Sequence, residues 1–166
     1  MTITMTEPRE TAGVIAPPPL IALAAVIIGL VLDWLLPAYL LTLLLSLTER
    51  IVVGVVLMAA GIGLAIPAIL VFRSAGTHEE PWKPSRALAT AGVYAYIRNP
   101  MYVGLGLLVG GIGVAAASDW TLVMLVPGAI VLHIGVGKRE ERYLEAKFGD
   151  DYRRYKARVP RYGWPP

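Results

Sequence analysis

The sequence predicts an all-α integral membrane protein with about four transmembrane helices. Of its 166 residues, 56% are hydrophobic and 16% are charged, and the mean hydropathy is +0.62. The 15 Lys and Arg and 12 Asp and Glu are too few to cover a soluble domain that must also bury four long apolar runs. Composition therefore argues against a soluble enzyme and a disordered chain, and the length fits one domain.

The basic residues lie beside the apolar runs and form no separate patch. Four of the 15 Lys and Arg fall between Arg73 and Arg98, and nine fall between Lys138 and Arg161. This distribution favours a positive-inside topology and contact with anionic lipid headgroups, and it argues against binding of nucleic acid. No cysteine is present, so disulfides, a thiolate nucleophile and cysteine-based metal sites are excluded, and no metal is expected.

Residues 1–16 are polar and predict a flexible N-terminal tail ahead of a single membrane domain over residues 17–166. The first span covers residues 20–36 and is interrupted only by Asp33. Residues 38–47 are apolar but amount to roughly 15 Å of helix, which is too short to cross a bilayer. We expect them to lie at the interface or to pack on the first span. A fifth span there is the alternative, and it would move the N-terminus to the other side of the membrane.

Three further apolar runs predict three more spans. Residues 51–72 carry no charge and amount to about 33 Å of helix, which is a complete crossing. Residues 101–117 form the third span, and residues 120–137 form the fourth after a polar turn at Asp119–Trp120. With four spans, the N-terminus, the loop over 73–100 and the C-terminal segment all face the cytoplasm. The glycines that would permit close helix approach are Gly54, Gly61 and Gly63 in the second span and Gly104, Gly106, Gly110, Gly111 and Gly113 in the third.

The C-terminal segment predicts two short helices. The first covers about Lys138–Phe148, and Gly149 is a suitable stop for it. Asp150 is a suitable N-cap for the second helix, which ends near Val159 because Pro160 cannot continue it. Aromatic residues on a basic amphipathic tail are typical of helices that lie on lipid, and this is the simple alternative to a functional role.

Glu140 and Glu141 argue against that simple alternative. They begin two residues past the last apolar run, where unpaired carboxylates are costly and acidic residues oppose the positive-inside pattern. Salt bridges to Lys138, Arg139 or Arg142 would explain them. A ligand rich in hydrogen-bond donors, such as a ribose diol or an amino group, would explain them as well.

Two motifs carry a resemblance to a known family. The segment GVYAYIRNPMYVG over residues 92–104 is followed by EERYLEAKFGDDYRRYKARVPR over residues 140–161. Together they closely resemble the isoprenylcysteine carboxyl methyltransferase family and, more loosely, the related phospholipid methyltransferases. The resemblance implies S-adenosylmethionine as cofactor, bound at the cytoplasmic membrane face by residues 73–104 and 138–166. It also implies methyl transfer to a lipophilic acceptor.

The resemblance further implies which residues hold the cofactor. The chemistry of these residues agrees, because carboxylates suit ribose hydroxyls or an ammonium group and tyrosine rings suit a sulfonium. Arg98 and Glu141 are expected to support the pocket. Arg139 and Glu141 are candidates to orient the acceptor, and no catalytic acid or base is assigned. The cofactor-binding set is Arg86, Ala87, Leu88, Ala89, Tyr94, Arg98, Asn99, Pro100, Met101, Tyr102, Glu140 and Glu141.

Two positions depart from the family pattern. Asn99 replaces the common histidine, and because an amide does not titrate, proton transfer at this position is excluded. Val136 stands where the prenylcysteine enzymes carry a substrate-contacting arginine, so recognition of a prenylcysteine carboxylate is not implied. The acceptor stays open among carboxylate, amine and thiol lipids. Two other functions also stay open: a sterol-type membrane ene-reductase that uses NADPH, and a non-catalytic module that binds a lipid.

Overall fold

A computed structural model describes residues 11–77 and 80–163. Within these ranges the chain forms seven α-helices and no strand, which confirms the predicted all-α class. Residues 1–10 of the predicted tail, and residues 78–79 and 164–166 of the predicted cofactor region, lie outside the described residues. The helices are α1 (Pro18–Leu35), α2 (Leu40–Leu44), α3 (Leu47–Ser74), α4 (Pro100–Ala115), α5 (Asp119–Leu132), α6 (Lys138–Phe148) and α7 (Asp150–Arg158).

Three stretches are long and apolar enough to cross a membrane. They are α1 with 18 residues, α3 with 28, and the continuous helix Asp119–Phe148 with 30. The fourth apolar helix, α4, is shorter, with 16 residues. The apolar part of the last helix ends at Gly137, so charged α6 extends beyond the membrane-spanning segment. These helices occupy the four predicted spans, with bounds that differ by a few residues at most ends.

Helix α2 is too short to form a fifth crossing over residues 38–47. Its five residues correspond to roughly 7.5 Å. The backbone N–H groups of Leu40 and Leu41 donate to the Asp119 carboxylate at 2.9 and 3.0 Å. The segment is therefore tied to the beginning of α5.

The turn between α4 and α5 lies slightly earlier than predicted. Asp119 is already the first residue of α5, and Ser118 is its N-cap, with a hydroxyl that accepts a hydrogen bond from the Thr121 N–H at 3.1 Å. The Ser118 hydroxyl also donates to Asp33, the charged residue within the first span. This hydrogen bond gives a polar partner to a carboxylate that would otherwise be costly in an apolar helix.

The helices alternate in direction between two ends of the bundle. Helices α1 and α5 are antiparallel: Gly29 packs on Thr121 at one end, and the Ile15 N–H donates to the Gly135 carbonyl at the other, at 3.2 Å. The second of these ends also holds the end of α3, the loop that precedes α4, and α6 with α7. The predicted loop and C-terminal segment therefore lie at the same end of the molecule.

The tail folds back on the protein. Helices α6 and α7 occur as predicted, and Gly149 separates them with a positive φ of 55°. Asp150 begins α7, and Gly149 occupies the N-cap in its place. The Tyr152 and Tyr155 side chains are buried within the molecule, so these two aromatics do not form the lipid-facing surface of the simple alternative.

Candidate active site

A polar cleft of about 600 Å³ lies at the end of the bundle where α4 begins and α6 follows α5. Its wall combines the end of α3, the loop before α4, the first turn of α4, and the α6–α7 hairpin. Both sequence motifs therefore contribute to one cavity. The lining residues are Phe72, Ser85, Ala87, Leu88, Ala89, Tyr94, Arg98, Asn99, Met101, Tyr102, Glu140, Glu141, Leu144, Tyr152 and Tyr155.

A π-helical turn over His133–Gly137 joins α5 to α6 and sets the orientation of the glutamates. Such turns insert an extra residue into the helical repeat and are frequent at functional sites. Gly135 lies inside this turn, and a Cβ atom there would overlap the Ile15 side chain. The glycine therefore allows the segment before α1 to pack against the helix just ahead of Glu140.

Glu140 faces the cleft and is hydrogen-bonded to Tyr102 on α4. The Tyr102 hydroxyl donates to the Glu140 carboxylate at 2.6 Å. Burial raises the pKa of Glu140 above its ordinary value of 4.5, and the Glu141 charge adds to this, whereas the hydrogen bond from Tyr102 opposes it. The cleft thus contains a carboxylate that becomes protonated more readily than an exposed glutamate.

Glu141 has cationic partners. Its carboxylate contacts Arg98 Nη1 at 2.6 Å and forms a two-point contact with Arg161, at 2.6 and 2.5 Å. Burial alone would raise the pKa of Glu141, but the hydrogen bond from Arg161 and the charges of both arginines lower it. Glu141 therefore stays ionised where Glu140 can take up a proton. Among the described residues, the salt bridges of Glu141 are to Arg98 and Arg161, and not to the Lys138, Arg139 or Arg142 of the simpler explanation.

The α6–α7 hairpin closes the cleft over the loop that precedes α4. Tyr155 donates its hydroxyl hydrogen to the Tyr94 carbonyl oxygen at 2.7 Å. The Ser85 N–H donates to the Tyr143 hydroxyl oxygen at 3.1 Å. The first hydrogen bond joins the two motif segments, and the second joins the loop before α4 to α6. Apolar contacts support them, since Tyr152, Tyr155 and Val159 pack against Leu88, Leu144 and Phe148.

Most of the predicted site residues lie together. Three do not line the cleft: Arg86 is exposed and its N–H donates to Thr77, Pro100 is buried at the start of α4, and Arg139 donates to the Gly13 carbonyl. Cofactor contact by the predicted set stays a prediction. The residues brought together are Ala87, Leu88, Ala89, Tyr94, Arg98, Asn99, Met101, Tyr102, Glu140 and Glu141.

Several lining residues were absent from the predicted set. Phe72 precedes the implied cofactor region, and Ser85 lies within it but directly before the loop residues that the resemblance assigns. Leu144, Tyr152 and Tyr155 lie within the second motif. The four-residue spacing of Leu144 and Phe148 and the three-residue spacing of Tyr152 and Tyr155 indicate two shared helix faces. Sequence periodicity does not show towards which part of the molecule those faces point, so it did not place these residues at the cleft.

A second cavity, of about 400 Å³, lies between α1, α4 and α5. We call it the apolar groove. Tyr102 lines both the groove and the polar cleft, and it is therefore part of both walls. The groove residues carry no charged side chain; they are Pro18, Ile21, Ala22, Ala25, Tyr102, Leu105, Gly106, Val109, Leu125, Gly128, Ala129 and Leu132.

The fold and the cleft define a helical membrane protein with a polar site at one end of its bundle. The model of the phospholipid methyltransferase family matches residues 49–151, which is more than half of the chain. The chain therefore belongs to the phospholipid methyltransferase family.

Two curated proteins show local similarity. The protein-S-isoprenylcysteine O-methyltransferase of Schizosaccharomyces pombe is 34% identical over 76 residues, which are 44% of this chain and 31% of that protein. An uncharacterized protein of Haemophilus influenzae is 71% identical over 24 residues, which are 14% of this chain and 38% of that protein. The matched segments span less than half the length of either relative. No solved structure matches the chain.

Proposed function

We propose that this chain is an integral membrane methyltransferase that transfers a methyl group from S-adenosylmethionine to a lipophilic acceptor. The observation that carries the proposal is the shared cleft, in which residues of both motifs surround Glu140 and Tyr102. The donor is implied by the family, and the lipophilic acceptor is suggested by the name of the fission-yeast relative.

The properties of the cleft fit this donor. Glu140 can accept hydrogen bonds from a ribose diol or an ammonium group. The tyrosine rings offer cation–π contact to a sulfonium. When bound, the donor supplies a methyl group activated by its positive sulfur.

The role of the protein is to position the reactants and exclude water. In-line attack needs the nucleophile of the acceptor next to the methyl group, so most of the rate enhancement comes from positioning. Tyr102 lines both the cleft and the apolar groove, and it is therefore where we expect the two reactants to approach each other. The groove would hold the apolar chain of the acceptor. No residue is assigned as general base.

A binding titration tests the donor site. Purified protein in detergent is titrated with S-adenosylmethionine and with its demethylated product. We expect saturable binding, and a loss of roughly tenfold or more in affinity for Glu140→Gln, since hydrogen bonds to charged groups contribute about 1.5–3 kcal/mol. Tyr102→Phe should also weaken binding. Glu145→Gln and Tyr96→Phe are matched controls, because both side chains lie outside the cleft.

Other results would contradict the proposal. Absence of donor binding to the wild-type protein would exclude this function. Saturable binding of NADPH, displacing the donor, would favour the membrane reductase. If the donor binds, transfer of a labelled methyl group to a panel of carboxylate, amine and thiol lipids identifies the acceptor, and absence of transfer to all of them would leave a binding module.

We also propose that the cleft faces the cytoplasm. The basic residues between Lys138 and Arg161 lie at this end, as the positive-inside rule requires of a cytoplasmic face. The chain has no cysteine, so single cysteines can report sidedness. Thr90→Cys and Ala157→Cys should react only from the cytoplasm, and Thr42→Cys, at the far end, only from the other side. The reverse pattern would invert the topology.

A further inference from the structure

The segment over residues 159–162 follows α7 and crosses the beginning of α4; we call it the C-terminal strap. The backbone N–H of Arg98 donates to the Pro160 carbonyl at 2.9 Å, and that of Asn99 donates to the Arg161 carbonyl at 3.1 Å. The strap is therefore bonded to the two residues directly before α4, both of which line the cleft.

The Arg161 side chain extends from the strap to α6. Its Nε lies 2.6 Å from Glu141 Oε1, and its Nη2 lies 2.5 Å from Oε2, which is the two-point geometry that arginine forms with carboxylates. Glu141 Oε1 also accepts from Arg98 Nη1 at 2.6 Å. The Glu141 side chain is 8% exposed, the Arg98 side chain 7% and the Arg161 side chain 24%. The Glu141 carboxylate is thus held by two arginines: Arg98, which lines the cleft, and Arg161, which does not.

Arg161 does not line the cleft. Its partner Glu141 does, and so does Arg98, which contacts the same carboxylate. Its other side-chain contacts are with His133, whose ring nitrogens lie 3.3 and 3.5 Å from Nη1. Removing one partner of a buried ion pair leaves the remaining charge poorly compensated and free to move. In this case the freed group would be Glu141, next to Glu140 on α6.

We propose that Arg161 is a positioning residue of the donor site. It holds Glu141, and through Glu141 it holds Arg98, in the arrangement that forms the polar wall of the cleft. This inference rests on the proposed methyltransferase function. It also distinguishes arginine from lysine, because the ammonium group of lysine is a single point charge that cannot form the two-point contact.

The test compares variants of two tail arginines. Arg161→Gln and Arg161→Lys are measured beside Arg158→Gln. The Arg158 side chain is exposed, and its guanidinium donates to the Arg154 carbonyl. The measurements are the donor dissociation constant, the donor KM and kcat, and the thermal midpoint of unfolding. We expect Arg161→Gln to weaken donor binding at least tenfold, Arg161→Lys to recover part of the loss, and Arg158→Gln to stay within twofold.

A double-mutant cycle isolates the route through Glu141. In a Glu141→Gln background, Arg161→Gln should cause little further loss of donor affinity, because the contact is already absent. Additive losses, or unchanged donor affinity in a folded Arg161→Gln protein, would overturn the proposal while leaving the methyltransferase function intact. Failure of the wild-type protein to bind the donor would instead overturn the proposed function and this inference with it.

Discussion

Glu140 and Glu141 are adjacent in sequence but have different partners in the structure. Both were recognised as unusual from their position at the end of an apolar run. Salt bridges to cations on their own helix were one of the two explanations left open, and they do not form in the described part of the chain: the Arg139 side chain donates to the Gly13 carbonyl and Arg142 donates to the Lys138 carbonyl. The true partners are distant in the chain, and local spacing carries no information about them.

The environment of Glu140 predicts a pH dependence of donor binding. Its pKa lies above 4.5, so as the pH falls through that raised value the carboxylate takes up a proton and loses its attraction for a cationic donor. We expect donor affinity to decline on acidification, with a midpoint above 4.5. The pKa of Glu141 is lowered by its arginines, so Glu141 stays charged over the same range.

The measurement is a series of donor titrations between about pH 5 and 8, compared with the same series for Glu140→Gln. The variant should bind weakly with a nearly flat profile, because glutamine does not titrate. A profile that keeps the wild-type slope in the variant would assign the pH dependence to another group.

The packing of α3 on α4 depends on two pairs of glycines. A Cβ atom at Gly61 would lie 2.6 Å from the Gly104 carbonyl oxygen, and one at Gly111 would lie 2.6 Å from the Gly54 carbonyl oxygen. The two glycines on each helix are seven residues apart, which is about two helical turns, so they lie on one face of that helix. Gly63 was predicted to join this contact, but two residues along a helix is nearly the opposite face, and nothing lies within 4 Å of its Cβ position.

This contact predicts opposite outcomes for two neighbouring substitutions. Gly61→Ala forces a methyl group against backbone, so we expect destabilisation of about 1–3 kcal/mol, as for overpacked cores. Gly63→Ala is the matched control and should be neutral or slightly stabilising, since alanine favours helix by up to about 1 kcal/mol. The thermal midpoint of the purified protein measures both. Equal midpoints for the two variants would contradict the close approach.

For the whole molecule, the sequence predicted the apolar spans and the meeting of two motif segments at one end. Strong apolar runs and clustered charge are sufficient for those conclusions. The pairing of α1 with α5 could not be predicted, because a membrane helix is apolar on its lipid-facing and its protein-facing sides. For the same reason the apolar groove, which needs α1 as one wall, is found only in the structure.

Tyr102 lines both the groove and the cleft, but the other groove residues do not line the cleft. We therefore predict that a substitution in the groove can weaken acceptor binding without changing donor binding. Ala22 lines the groove on α1 and takes no part in the cleft, so Ala22→Phe should fill the groove and obstruct an apolar chain. We expect the acceptor KM to rise roughly tenfold, which corresponds to about 1.4 kcal/mol, with donor affinity unchanged. Ala24 is two residues away and exposed on the outer surface of α1, so Ala24→Phe is the matched control and should alter neither value. Steady-state methyl transfer with the acceptor found in the lipid panel, together with donor titration, gives both quantities. If Ala22→Phe left the acceptor KM unchanged, the acceptor chain would have to reach Tyr102 by a route outside the groove.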